Sequence, residues 1–173
     1  MIDLIRKYKL KKRDIQFSKE LLLNNIELIY PFSILNNENL ILGKHIYIGP
    51  NSWLILRGKL IIDNGTIIGP RLKVHTSNHD YEGGMIPYST NYIIKDVIIG
   101  KNVWIGADVT IMPGVKIGDG AVVAASSCVV KDVPNFAVVG GNPSKILKFR
   151  NEENYNKCVD KKYFYNKTKK LNK

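Results

Sequence analysis

The side chains best suited to chemistry fall in one stretch, "HTSNHDYEGGMIPYSTNYIIKD", residues 75–96. It holds His75 and His79, two of the three histidines, with Asp80 directly after the second. An imidazole that titrates near ~6.5 can accept a proton from a hydroxyl at neutral pH and hand it on, so His79 is the candidate general base. Asp80 is a candidate orienting group for that ring. Neighbouring side chains of an extended chain point apart, however, and a loop hydrogen bond is the simpler use for it. His75 stands at the first corner of the stretch and is a candidate wall of the site. Neither a GxSxG elbow nor a Cys/His signature supplies a nucleophile. The residues therefore suit a reaction without a covalent enzyme intermediate.

The elements that must position these groups lie on either side. From Ile99, every sixth residue is a β-branched aliphatic: Ile99, Ile105, Ile111, Ile117, Val123 and Val129. Four places after each come Val103, Val109, Val115, Ala121, Ser127 and Val133. A period of six fits neither a helix nor an alternating strand. It fits a chain that runs straight, turns a corner and repeats, three sixes closing one triangular coil of a parallel β-helix. The head of each six fills the inside. The small residue after it (Gly100, Gly106, Gly118, Ala124) sits at a crowded corner, where glycine also permits a positive φ.

Upstream the same pattern runs through Leu42, Ile48 and Leu54, slips by two after Leu60, and resumes at Ile62, Ile68 and Val74. The slip predicts a widened corner within "RGKLIIDNG", containing Gly65. The two bursts together predict about four coils, a prism ~20 Å long at one strand spacing per coil. Residues 75–96 then read as an excursion without regular structure, held on a rigid base as active-site loops often are. Residues 1–39 read as an N-terminal cap segment. Either a short helix capped by Ser18 turns Leu21, Leu22 and Leu23 inward, or the chain makes an irregular first coil. The β-helix domain covers 40–143. In 144–173, Asn142 and Pro143 suggest the cap and first turn of a short helix over Ser144–Asn151, followed by a basic tail.

With "NVWIGADVTIMPGV", "VVKDVP" and "GGNPSKI" in place, roughly residues 40 to 150 resemble the hexapeptide-repeat acyltransferases of the left-handed β-helix fold. The maltose/galactoside O-acetyltransferases and the O-acetyltransferases of capsule and lipopolysaccharide assembly are the most similar branches. The resemblance implies an all-β fold and acetyl-CoA as co-substrate, with no metal. It implies a homotrimer with sites between subunits, and His79 as the catalytic base that helps a sugar hydroxyl attack the thioester. It also implies that Trp104 walls the acceptor or the thioester arm and that the Ala107 amide faces the thioester oxygen. A fixed donor of that kind is worth ~3–4 kcal/mol to a developing oxyanion. Asn51, beside Trp53 in "GPNSW", falls among acceptor-binding positions, although Gly49 stands where relatives often carry Asn. Lys131, Lys145 and Lys148 match residues that flank coenzyme A. The last two, three apart on the expected helix, would share one face toward a 3′-phosphate.

Composition bounds the remaining readings. The chain of 173 residues suits one domain and carries a net charge of +11. Residues 1–20 hold seven Lys/Arg against three Asp/Glu, residues 144–173 hold ten against three, and the middle is neutral. Such ends are either solvated termini or an attraction for polyanions such as a nucleotide, an anionic glycan or lipid headgroups. No recognition motif for nucleic acid accompanies them. Cys128 and Cys158, without CxxC spacing, read as free thiols. No apolar run suggests a signal peptide or a membrane span, so the expected setting is cytoplasmic, with the membrane touched peripherally at most. Three alternatives stand beside O-acetylation. One is N-acylation of an amino sugar on a nucleotide carrier. Another is a zinc enzyme similar to the γ-class carbonic anhydrases, using His45, His75 and His79. The third is a non-catalytic scaffold that binds polyanions.

Overall fold

The computed structural model describes residue 21 and residues 23–165. Ser18 and Leu22 lie outside the described residues. Strands β1 (Glu27–Leu28), β2 (Phe32–Leu35) and β3 (Leu40–Leu42) make a first coil. Strands β4 (Tyr47–Ile48), β5 (Ser52–Ile55) and β6 (Leu60–Ile62) make the second. The third runs through β7 (Ile67–Ile68) and β8 (Lys73–His75), leaves the prism as β9 (Ser77–His79) and β10 (Tyr92–Ile94), and closes at β11 (Val97–Ile99). The fourth is β12 (Trp104–Ile105), β13 (Thr110–Ile111) and β14 (Lys116–Ile117). Strands β15 (Val122–Val123) and β16 (Cys128–Val129) and a bridge from Val133 to Ile117 form the fifth, and β17 (Ala137–Gly140) opens a sixth.

Stacking produces three parallel sheets: β1-β4-β7-β12-β15-β17, then β2-β5-β8-β13-β16, then β3-β6-β11-β14. Their registers keep equivalent places of the repeat in column, as in Ile48 opposite Ile68 and Ile111 opposite Val129. Both inward positions of each six are buried, from Ile99 through Val129 and from Val103 through Val133. The all-β parallel β-helix expected from the spacing is therefore the fold. It is longer than four coils. The regular pairing begins at Glu27 rather than near residue 40, because β1 and β2 align on β4 and β5. Six parallel strands in the first sheet are separated by five strand spacings and so span ~24 Å. Of the leucines proposed to turn inward, Leu21 packs against the core while Leu23 is 81% exposed.

The corners explain the small residues. A Cβ built on Gly106 would lie 2.6 Å from the nitrogen of Ala125, and one on Gly118 would lie 2.5 Å from that of Asn135. Backbone of the next coil occupies that space. Positive φ falls elsewhere, two residues on, at Asn51, Arg71, Asp108 and Ser126 on the first corner. Glycine beside each aliphatic is thus demanded by crowding, not by a left-handed backbone. Side-chain oxygens close the remaining polar gaps: Asn64, Asp119 and Asn135 accept from backbone N–H groups of the preceding coil at 2.7–2.9 Å.

The two-residue slip is not at Gly65, which occupies an ordinary corner. It lies between Leu54 and Ile62, at the corner joining the second and third sheets. There Thr76 Oγ1 accepts from Gly58 N–H at 2.9 Å and Asp96 Oδ1 accepts from Lys59 N–H at 2.7 Å. The excursion grows from this same corner, one coil further on. It is not irregular throughout: β9 and β10 pair antiparallel, with His79 opposite Tyr92.

At the far end, Lys145–Phe149 is a strand, β18, and not the expected helix. It pairs antiparallel with β17 and covers the open edge of the first sheet. The helix comes later, as α1 (Glu152–Asp160). Asn151 Oδ1 caps it by accepting from Asn154 N–H at 2.7 Å, with Glu152 and Glu153 in the first turn.

The crowding has a measurable consequence. Gly106→Ala pushes a methyl into backbone and is expected to cost ~1–3 kcal/mol, lowering Tm by roughly 2–12 °C for a chain of this size. Gly84, with nothing within 4 Å of an added Cβ, is the control. Gly84→Ala is expected to melt within a degree of the parent, and equal melting of both variants would contradict the assignment.

Candidate active site

His79 ends β9, at the base of the hairpin that replaces a corner of the third coil. Its ring is held by faces. Tyr88 stacks on it at 3.8 Å between centroids with 26° between planes, and Tyr92 lies tilted at 4.6 Å. The Arg57 guanidinium, from the widened corner of the second coil, sits 3.7 Å over the centroid of Tyr92. His79 Nδ1 is buried without a hydrogen-bond partner. That leaves Nε2 as the nitrogen an acceptor can reach.

Asp80 does not orient this ring through a hydrogen bond. Its carboxylate accepts from Glu82 N–H at 3.3 Å and from the Ser89 hydroxyl at 3.5 Å. Its backbone exchanges hydrogen bonds with Ser89 and Asn91, which draws the two arms of the loop together. The simpler use foreseen for it is the one present. His75 lies at the end of β8, half-buried, with its ring 6.2 Å from that of Trp53 in an edge arrangement. Its pKa is held below the ordinary 6.5, by burial first and by Lys73 second.

The other expected site residues stand apart from His79 within one chain. Asn51 and Ala107 occupy the first corner, between the first and second sheets. Asn51 is exposed and in the left-handed region, and its N–H donates to the Pro31 carbonyl, so the backbone conformation accounts for Asn there. Ala107 packs its nitrogen against Gly69, and its carbonyl accepts from Ser126 N–H at 2.8 Å. Trp104 projects from the first sheet, 58% exposed, in a column with Ile67 and Val122. It walls a groove of about 700 Å³ whose far side is Tyr155 of α1 and Tyr163. Lys131 is exposed beyond β16.

Lys145 and Lys148 are on β18, not on a helix, yet they do share a face. A β-bulge sets Lys145 opposite Gly140 and Lys148 opposite Val138, two apart on β17. His45, the third histidine, sits in a left-handed backbone at the corner between the third and first sheets, remote from the hairpin. Among the described residues no three His, Cys, Asp or Glu gather as a metal site.

Sequence reasoning missed Tyr88, Tyr92 and Arg57. For Tyr92 and Arg57 a signal existed: both flank the place where the sixes break, one on the returning arm and one in the slipped corner.

Comparison with known proteins bears on this geometry. The bacterial transferase hexapeptide model (six repeats) matches residues 96–131. A hexapeptide-repeat-containing acetyltransferase from Vibrio cholerae, VCA0836, superposes with a TM-score of 0.71 and 30% identity, covering 84% of each chain. The chain belongs to the hexapeptide-repeat acetyltransferases. The same Vibrio protein complexed with acetyl-coenzyme A superposes with a TM-score of 0.67 and 27% identity, over 82% of this chain and 79% of that one. In sequence, the galactoside O-acetyltransferase of Lactococcus lactis is 31% identical over 118 residues, 68% of this chain and 56% of its own length. The chain spans 26–60% of the length of the first curated relatives it matches.

Within this hexapeptide-repeat protein, the state of His75 sets a pH dependence. Its folded pKa is depressed, so the unfolded chain binds the proton more readily. The stability that follows is present above the unfolded value, ~6.5, and is lost as pH falls through it toward the folded one. Melting curves between pH 7.5 and 5 are expected to fall more steeply for the parent than for His75→Gln. Parallel curves would refute the assignment.

Proposed function

We propose that the chain is an acetyl-CoA-dependent acetyltransferase acting on a sugar hydroxyl, in the assembly of a surface glycan, with His79 as the general base. The observation that carries this reading is His79 itself: a clamped imidazole with one nitrogen shut away and the other free, on a hairpin rooted in a rigid coil. Family membership supports the transfer chemistry, and the Lactococcus relative supports a sugar hydroxyl as acceptor. Bound acetyl-CoA supplies the acetyl group as a thioester. His79 takes the acceptor's proton at Nε2 as the new O–C bond forms, and returns it to the departing sulfur as the C–S bond breaks. A tuned base of this kind contributes ~10²–10⁴ to the rate. Lys145 and Lys148, brought onto one face by the bulge, are the groups proposed for the 3′-phosphate, with Lys131 nearby in the proposal as a further cation. Ala107 remains the proposed oxyanion donor.

His79 and Trp104 point from different sides of the prism, so a site using both draws them from two copies. The outward column Tyr47, Ile67, Trp104, Val122 and Val138 is an apolar face that favours such burial. We therefore include a homotrimer with shared sites in the proposal. Acetyl-CoA use and the two free thiols, Cys128 and Cys158, suit a cytoplasmic setting.

Release of free thiol from acetyl-CoA, followed over a panel of sugars and amino sugars, is the test. His79→Ala is expected to lower kcat by roughly 10²–10⁴ with Tm within a few degrees of the parent. Retention of a tenth of the parent rate would overturn the role of His79. Turnover with amino sugars alone would replace O-acetylation by N-acylation. Light scattering is expected to return about three times the chain mass of 19.6 kDa; a single chain mass at micromolar concentration would remove the trimer.

A further inference from the structure

We propose that Arg57, Tyr92 and Tyr88 are the positioning residues of His79, which is oriented by aromatic faces instead of by a hydrogen bond to Nδ1. The inference rests on His79 being the base, and deepens that reading.

Four planar groups lie in one pile: Arg57 over Tyr92 at 3.7 Å, Tyr92 against His79 at 4.6 Å, and His79 against Tyr88 at 3.8 Å. A catalytic histidine usually has its second nitrogen held by a carboxylate or carbonyl, which selects ring orientation and supports the charged form. Here Nδ1 is buried and has no such partner. Asp80, the nearest acid in sequence, is spent on Glu82 N–H and the Ser89 hydroxyl. What remains to fix the imidazole is the slot between two phenol rings.

The slot also suits the reaction. When Nε2 takes a proton the ring becomes a cation, and aromatic faces within about 6 Å attract a cation. Both Tyr88 and Tyr92 are inside that range. The two rings come from different parts of the excursion, Tyr88 from the loop and Tyr92 from β10. Each needs its own support. Tyr92 has Arg57 on its outer face, a side chain rooted in the rigid second coil. Tyr88 has the loop closure made by Asp80 and Ser89. The corner widened by two residues in the second coil thus reaches the active histidine one coil later.

Tyr88→Leu, Tyr92→Leu and Arg57→Met are the test variants, with Tyr88→Phe and Tyr92→Phe as rescues that keep the face and remove only the hydroxyl. The Leu variants are expected to lose roughly 10- to 100-fold in kcat, the scale of a misplaced catalytic group, with KM for acetyl-CoA within twofold. Phe at either position is expected to restore most of that rate. A second readout needs no turnover. In the proton NMR spectrum, stacking shifts the His79 ring signals upfield by ring currents, and Arg57→Met is expected to reduce that shift. Assignment is made by the signals absent from His79→Ala. If the Leu variants keep the parent kcat while His79→Ala is inactive, the base stands and this proposal falls. If His79→Ala itself is active, the functional reading fails first. If a Leu variant does not fold, an unshifted His79 ring in the parent spectrum overturns the proposal on its own.

Discussion

Everything in this molecule depends on how closely one coil lies against the next at a corner. Adjacent strands sit one hydrogen-bond spacing apart, and the backbone must turn within that spacing without separating the coils. At Gly49, Gly69, Gly106 and Gly118 a methyl group would come within 3 Å of the neighbouring main chain. A side chain larger than glycine's hydrogen there strains the stack, and the inward aliphatics would lose contact with the coil beyond. The periodic core and the glycine ladder are thus one constraint seen from inside and from the edge.

The same constraint explains which parts of the structure were legible from residues alone. From Leu42 to Val133 the inward positions follow from spacing, because each side chain there meets its counterpart one coil away. The first coil was missed because Leu28 and Ile34, although six apart, are only partly buried, with Pro31 between them and the Asn-rich stretch 36–39 directly after. Lys145–Phe149 was misread because the local signal, Asn-Pro followed by mixed polar residues, competes with a tertiary one: the unpaired edge of β17 needed a strand. The true helix signal, Asn151 followed by two glutamates, lay a few residues downstream.

At the site, the position of His79 was readable and its surroundings were not. A break in a strict repeat marks where chemistry can be housed, since only there does the chain leave the pattern that packing imposes. Which groups close on the histidine depends on how a hairpin folds back. That is set by the register of His79 against Tyr92 and by a corner twenty residues upstream in sequence, near Arg57. Asp80 shows the converse: adjacency in sequence gave it a place beside His79, and loop closure gave it other partners.

The antiparallel return of β18 has a meaning for assembly. A stack of parallel coils is translationally repetitive, and its last rung presents donors and acceptors that another chain's first rung could continue. End-to-end growth of that kind yields fibres, not closed particles. By reversing direction on the first sheet, β18 substitutes a mismatched polarity for the expected next rung, while α1 and Tyr155 close over the adjoining corner through Asn102 and Phe136. On the first sheet the chain thereby carries its own terminator of strand addition.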